Sequence, residues 1–138
     1  MTYAPEGYRI ERLMLDARST HPQVPPSDLS SRIEAGAFVI DIRSPVTRDP
    51  EGNIPGAIVI ERLVLEWRLD PTSPYKMVDG PGYDDDLIIV CNEGFSSTLA
   101  ARDLRELGFT RCTDLEGGFR AYAAAGLPTV GAPTRWVH

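Results

Sequence analysis

The sequence predicts an α/β domain built on an open, mainly parallel sheet with helices on both faces. Three observations lead there. Leu87-Ile88-Ile89-Val90 is an unbroken aliphatic run with no polar alternation, the mark of a strand buried on both sides. Shorter apolar stretches at residues 37–41 and 57–60 read as further strands, and residues 111–115 as a fourth. The segments between them carry helical spacing, and strands alternating with helical crossovers imply a parallel sheet.

In order along the chain, residues 27–35 read as a helix that Gly36 ends, followed by a strand at 37–41. A second strand at 57–60 and a third at 87–90 follow, separated by a connection at 70–86 whose Pro71, Pro74, Gly80, Pro81 and Gly82 predict irregular chain forming one wall of a substrate entrance. Residues 97–107 read as a helix, since Ala100, Leu104 and Leu107 share a face, Ser96 or Ser97 can cap its start, and Gly108 stands at its C-terminal cap. A strand at 111–115 and a helix at 118–125 complete the series. The division expected is an extension at 1–26, a core domain at 27–130 and a tail at 131–138. In the extension, Ile10, Leu13, Met14 and Ala17 recur at helical spacing before a linker marked by Pro22, Pro25 and Pro26. That spacing suits an amphipathic helix lying on the core or one that binds a partner, and the tail ending in Trp136 can dock back or stay free.

The chemistry concentrates at Cys91. There an apolar strand ends in a thiol, and a polar loop containing Gly94 opens a helix. Backbone N–H groups converging at a helix start favour negative charge on sulfur and hold anions. Gly94 permits the dihedrals that a ring of inward amides requires. The alternative, a buried structural cysteine, calls for no such loop. Cys112, within the strand at 111–115, reads as a core residue. The cysteines form neither a C-x-x-C pair nor a metal-ligand cluster, so no disulfide framework, zinc site or other metal is expected.

The motifs around Cys91 resemble those of the single-domain rhodaneses, the thiosulfate sulfurtransferase family. Asp41-Ile42-Arg43 after an apolar run resembles the family's first strand signature, and Asn53-Ile54-Pro55-Gly56-Ala57 its G-H-I-P-G-A turn, with Asn53 where histidine is usual. Cys91-Asn92-Glu93-Gly94-Phe95-Ser96-Ser97 resembles the C-x-x-G-x-S-S active-site loop. Leu115-Glu116-Gly117-Gly118-Phe119 with Gly126-Leu127-Pro128 resembles the closing signature. The resemblance spans residues 27–130 and implies a rhodanese-like sheet of about five strands. It also implies transfer of a sulfane sulfur, without cofactor, from an anionic or thiol-bound donor to a thiophilic acceptor such as cyanide or a thiol. Cys91 would carry the sulfur as a persulfide, and Asn92, Glu93, Gly94, Phe95, Ser96 and Ser97 would form the anion cradle. Arg43, Arg62 and Arg68 are further candidates for substrate or loop contacts, with structural ion pairing as the competing role. Glu93 would repel a dianion unless it points outwards, and Phe95 adds an apolar wall, so a thiol- or protein-borne persulfide is a second class of donor.

Two other functions are weighed. A non-catalytic binding module of the same fold would usually lack the cysteine. A cysteine phosphatase or arsenate reductase needs arginine six positions after the cysteine, where this chain has Ser97, and serine cannot reproduce a bidentate guanidinium. The 138-residue length suits one domain, and 42% hydrophobic with 25% charged residues is ordinary for a globular protein. A net charge of −6 argues against nucleic acid or an anionic membrane as partner. No long apolar run and no leader pattern at residues 1–5 are seen, so a soluble, cytoplasmic protein acting on a small sulfur compound is expected. The oligomeric state is not legible.

Overall fold

The computed structural model describes residues 8–138; the reading of residues 1–5 lies outside them. A five-stranded, wholly parallel sheet forms the centre, comprising β1 (Phe38–Asp41), β2 (Ile58–Ile60), β3 (Leu87–Val90), β4 (Cys112–Asp114) and β5 (Arg135–Val137), in the order β4-β3-β1-β2-β5. The helices are α1 (Arg9–Ser19), α2 (Leu29–Glu34), α3 (Pro45–Glu51), α4 (Leu65–Leu69), α5 (Ser96–Leu107) and α6 (Gly118–Ala124).

The uninterrupted apolar run of β3 is explained by its position. It lies between β1 and β4, and its side chains alternate between two cores. Leu87 and Ile89 face a cluster with Ile40, Leu65, Ala100, Leu104 and Phe109. Ile88 and Val90 face another with Val39, Leu29, Ile54, Leu115 and Phe119. Both faces are thus dry, as a parallel sheet covered by helices requires. β2 and β3 are added on opposite sides of β1, so the order of strand addition reverses between β1 and β3. At such a switch point the loops leaving the C-terminal ends of the two strands run to opposite sides.

Two elements differ from the sequence expectation, and a third, α3, lies where none is expected. The helix expected at 27–35 splits into a 3₁₀ turn at Pro26–Asp28 and a shorter α2. α3 falls where two prolines in Pro45-Val46-Thr47-Arg48-Asp49-Pro50 suggest loop. Pro45 is tolerated in its first turn and Pro50 near its end. Residues 135–137 of the tail form β5, pairing Ile58 with Arg135 and Ile60 with Val137 along the edge of β2.

The segment before the core is tied in at several points. Met14 and Ala17 of α1 are buried where that helix lies along α5. Val24 then runs beside the end of β4, its N–H donating to Asp114 O and its carbonyl accepting from Glu116 N, both at 2.9 Å. Arg105 of α5 joins the layers, with Nη2 donating to Ala17 O and Nη1 to Cys112 O, both at 2.9 Å. Removing these half-buried donors orphans two carbonyls. Arg105→Ala is therefore expected to lower stability by about 1–3 kcal/mol, read from the urea unfolding midpoint.

Candidate active site

Cys91 follows β3 directly and is 6% exposed, at the bottom of the loop that leads into α5. Its Sγ accepts hydrogen bonds from the N–H groups of Gly94 at 3.1 Å and Ser97 at 3.4 Å. Gly94 has φ of +85°, and a Cβ there would come within 2.8 Å of Gly117 N, so the position demands glycine twice over.

The loop's orientation is imposed from outside. The carbonyl of Cys91 accepts from Phe119 N at 2.9 Å and that of Asn92 from Arg120 N at 3.1 Å, both at the start of α6. The carbonyl of Gly94 accepts from Arg18 Nη2 at 2.8 Å and Gln23 Nε2 at 3.2 Å, on the opposite flank. In a trans peptide the following N–H points the other way. Fixing these carbonyls outward therefore turns the amides of Asn92, Glu93 and Phe95 away from α6 and α1. The turn that delivers α6 approaches so closely that a Cβ on Gly118 would lie 2.6 Å from Cys91 O.

A polar chain runs beneath the sulfur. The Cys91 thiol is 3.2 Å from Ser97 Oγ, and Ser97 Oγ donates to Asp114 Oδ2 at 2.7 Å. Thr98 Oγ1 and Gln23 Nε2 donate to the same oxygen, each at 2.8 Å. Arg18 Nε in turn donates to Thr98 Oγ1 at 3.1 Å. Ser97 and Asp114 are both buried. The expectation that Ser96 or Ser97 caps α5 is corrected here. The helix begins at Ser96 without a side-chain cap, because the Ser97 hydroxyl is engaged by Asp114 and Cys91.

The remaining loop side chains form the rim. Glu93 is exposed and accepts from Arg120 Nη1 at 3.1 Å, while Arg120 Nε reaches Glu51 Oε1 at 3.2 Å. With its amide oxygen turned to the guanidinium, Asn92 also accepts from Arg120 Nη2 and Nε at 3.1 Å. Glu51, and then Glu93, hold the Arg120 guanidinium above its ordinary pKa. Phe95 and Ser96 are exposed.

The three arginines singled out in the sequence lie elsewhere. Arg43 is buried in a forked pair with Asp41, Nη2 to Oδ2 at 2.7 Å, and stacks 3.9 Å over Phe119. Arg62 bonds Glu66 at 2.8 Å and Asp103 at 3.0 Å, and Arg68 donates to Tyr75 O at 2.7 Å. Among the described residues, none of their hydrogen bonds reaches residues 91–97. Cys112 is fully buried in β4, and that burial pushes its thiol pKa far up. No cluster of three or more His, Cys, Asp or Glu able to hold a metal is found among the described residues, nor any helix long and apolar enough to cross a membrane.

Sequence reasoning missed Arg18, Gln23, Asp114 and Arg120. A signal existed for Asp114, an acid closing a buried strand parallel to the one that ends at Cys91. Parallel strands bring their C-terminal ends to one edge.

Comparison with known proteins bears on family and fold. The model of the rhodanese-like domain matches residues 25–125. The thiosulfate sulfurtransferase GlpE of Pseudomonas fluorescens is 30% identical over 104 residues, 75% of this chain and 86% of that one. The human single-domain sulfurtransferase TSTD1 superposes with a TM-score of 0.64 at 28% identity, covering 75% of this chain and 96% of its own. A Rhodopseudomonas palustris protein of unknown function, RPA3614, described as a possible tyrosine phosphatase, superposes with a TM-score of 0.78 at 28% identity, over 94% and 99% of the two chains. By its motifs, its sheet and its match to the domain model, the chain belongs to the rhodanese-like family.

Proposed function

We propose that the protein is a sulfurtransferase that carries a sulfane sulfur on Cys91. The observation that carries this reading is the Cys91 sulfur in a cup of backbone amides, with Gly94 N and Ser97 N at 3.1 and 3.4 Å. The thiolate attacks the outer sulfur of a donor such as thiosulfate. A new S–S bond forms, the bond to the sulfonate sulfur breaks, and sulfite leaves with its electron pair. The Cys91 persulfide then yields its outer sulfur to cyanide or a thiol, regenerating the thiolate. Amides that already point at the sulfur stabilise charge on it without reorganising. The names of GlpE and TSTD1 support the same class of reaction.

The rim bears on the choice of donor. Glu93 is engaged by Arg120 and so does not stand as a bare carboxylate, which softens the repulsion expected from the sequence. Arg120, though, is shared between Glu51 and Glu93 and offers a dianion little free charge. A thiol-borne persulfide, less charged and flanked by the exposed Phe95, suits this rim as well as thiosulfate does. A soluble cytoplasmic setting goes with that chemistry.

RPA3614 brings the phosphatase reading forward again. Against it stands Ser97, a buried hydroxyl bound to Asp114 where a phosphate clamp needs a guanidinium aimed into the loop.

Incubation with thiosulfate followed by removal of excess reagent is expected to add one sulfur atom to the intact mass, absent in Cys91→Ser and discharged by cyanide as thiocyanate. No adduct with thiosulfate or any persulfide donor would leave a binding module. Iodoacetamide at neutral pH is expected to label Cys91 in the folded protein and Cys112 only after denaturation. The reason is that burial holds the Cys112 thiol protonated and inaccessible. Glu93→Gln is expected to lower the KM for thiosulfate by about two- to fivefold, the range for an exposed charge interaction, with kcat little changed. An unchanged KM would remove Glu93 from donor selection. Hydrolysis of para-nitrophenyl phosphate is expected to be absent.

A further inference from the structure

We propose that Asp114 is the proton acceptor for Cys91, reached through the hydroxyl of Ser97. This deepens the reading above and rests on Cys91 being the nucleophile.

A serine hydroxyl has one proton to donate. In the structure Ser97 Oγ lies 2.7 Å from Asp114 Oδ2, and an ionised carboxylate only accepts, so that proton is directed at Asp114. Ser97 therefore presents a lone pair to Sγ at 3.2 Å. A lone pair facing a thiolate is repulsive, whereas a lone pair facing S–H is a hydrogen bond. With Asp114 as the acceptor, these contacts direct the Cys91 thiol proton at Ser97 Oγ and the Ser97 proton at Asp114 Oδ2.

One concerted shift converts this arrangement to the reactive state. The Cys91 S–H bond breaks and its proton bonds Ser97 Oγ. The original Ser97 O–H bond breaks and that proton bonds Asp114 Oδ2. The products are a thiolate, a serine hydroxyl now pointing at it, and a neutral carboxylic acid whose O–H donates back to Ser97 Oγ. The thiolate then receives three donors: Ser97 Oγ, Gly94 N and Ser97 N. No charge is created in the process. A negative charge moves from one buried group to another, which avoids the cost of making an isolated ion in a dry site.

The surroundings hold this path in register. Thr98 Oγ1 and Gln23 Nε2 fix Asp114 Oδ2 from α5 and from the segment before α2. Arg18 donates to Thr98 Oγ1, which leaves the Thr98 proton for Asp114. Neither histidine competes. His21 bonds Thr20 and the Thr110 carbonyl, and His138 stacks on Trp136 in the last strand. The other charged groups around the path are the Asp41–Arg43 pair at the end of β1, Arg105 bonded to the Cys112 carbonyl, and Arg120 with Glu93 and Glu51 at the rim. All are shared by the wild-type protein and the variants below, so their influence cancels in the comparison.

The test is the rate of iodoacetamide alkylation of Cys91 from about pH 6 to about pH 9, a range that brackets an ordinary thiol's titration from its acid side. It uses the full chain as wild type, Asp114→Asn, Ser97→Ala and Ser97→Thr. Persulfide loading from thiosulfate is followed in parallel. Asp114→Asn keeps the shape but cannot take the proton. It and Ser97→Ala are expected to react roughly tenfold or more slowly at neutral pH and to converge on the wild-type rate at the alkaline end, where hydroxide removes the proton directly. Ser97→Thr retains a hydroxyl and is expected to react faster than Ser97→Ala.

Alkylation of Asp114→Asn as fast as wild type, or faster, at neutral pH would overturn the proposal, because the carboxylate would then merely hold the thiol protonated. Slowing of equal size at every pH would also overturn it, since that is the mark of a structural role. Should Asp114→Asn not fold, the two Ser97 variants carry the same decision. The expected alkylation profile without persulfide loading from any sulfur donor would uphold the proton path and sink the sulfurtransferase reading.

Discussion

A single carboxylate oxygen, Asp114 Oδ2, is the point on which the site depends. It gathers donors from Ser97 and Thr98 of α5 and from Gln23 of the segment before α2, all within 2.8 Å, at the end of β4. A buried carboxylate is costly unless its lone pairs are filled, and an incomplete set of donors destabilises more than an apolar replacement would. These elements are therefore held in one mutual arrangement. The thiol at the end of the neighbouring strand inherits its geometry from that constraint through Ser97.

This explains why the chain ahead of the core matters to the site although it lies behind it. Arg18 and Gln23 make no hydrogen bond to the Cys91 sulfur. They bind Gly94 O and Thr98 Oγ1 from the back, while Arg105 anchors the end of α1 to α5. From the opposite flank the Gly117-Gly118 turn presses its backbone against Cys91 and Asn92, at a distance that admits no side chain. The loop is clamped between the two and takes its shape from both.

Much of this was legible in the sequence, and the rest for physical reasons was not. β1, β3 and the loop at Cys91 stand out because strands buried on both faces must be apolar throughout, and because Gly94 and Gly117-Gly118 mark backbone no other residue tolerates. β5 is a three-residue edge strand whose pairing with β2 is a long-range event with no local pattern. α3 carries two prolines that locally argue against a helix, and tertiary packing overrides them. Asp114 is a lone acid whose partners lie 16, 17 and 91 positions away, a meeting brought about by the parallel order of β3 and β4 and by Val24 running beside the end of β4. Arg43, Arg62 and Arg68 sit close in sequence to strand ends, yet each has carboxylates or carbonyls of its own to satisfy.

The outward carbonyls of Cys91, Asn92 and Gly94 have a consequence for how such a site can diversify. The inner cup is built of peptide planes, which every residue type shares, and those planes are set by donors on α1, α6 and the segment between α1 and α2. Positions 92, 93, 95 and 96 can therefore change their side chains while the inner cup stays as it is. The cup around the Cys91 sulfur and the exposed rim are separate parts of one short loop, so the rim can be repainted with the setting of the sulfur undisturbed.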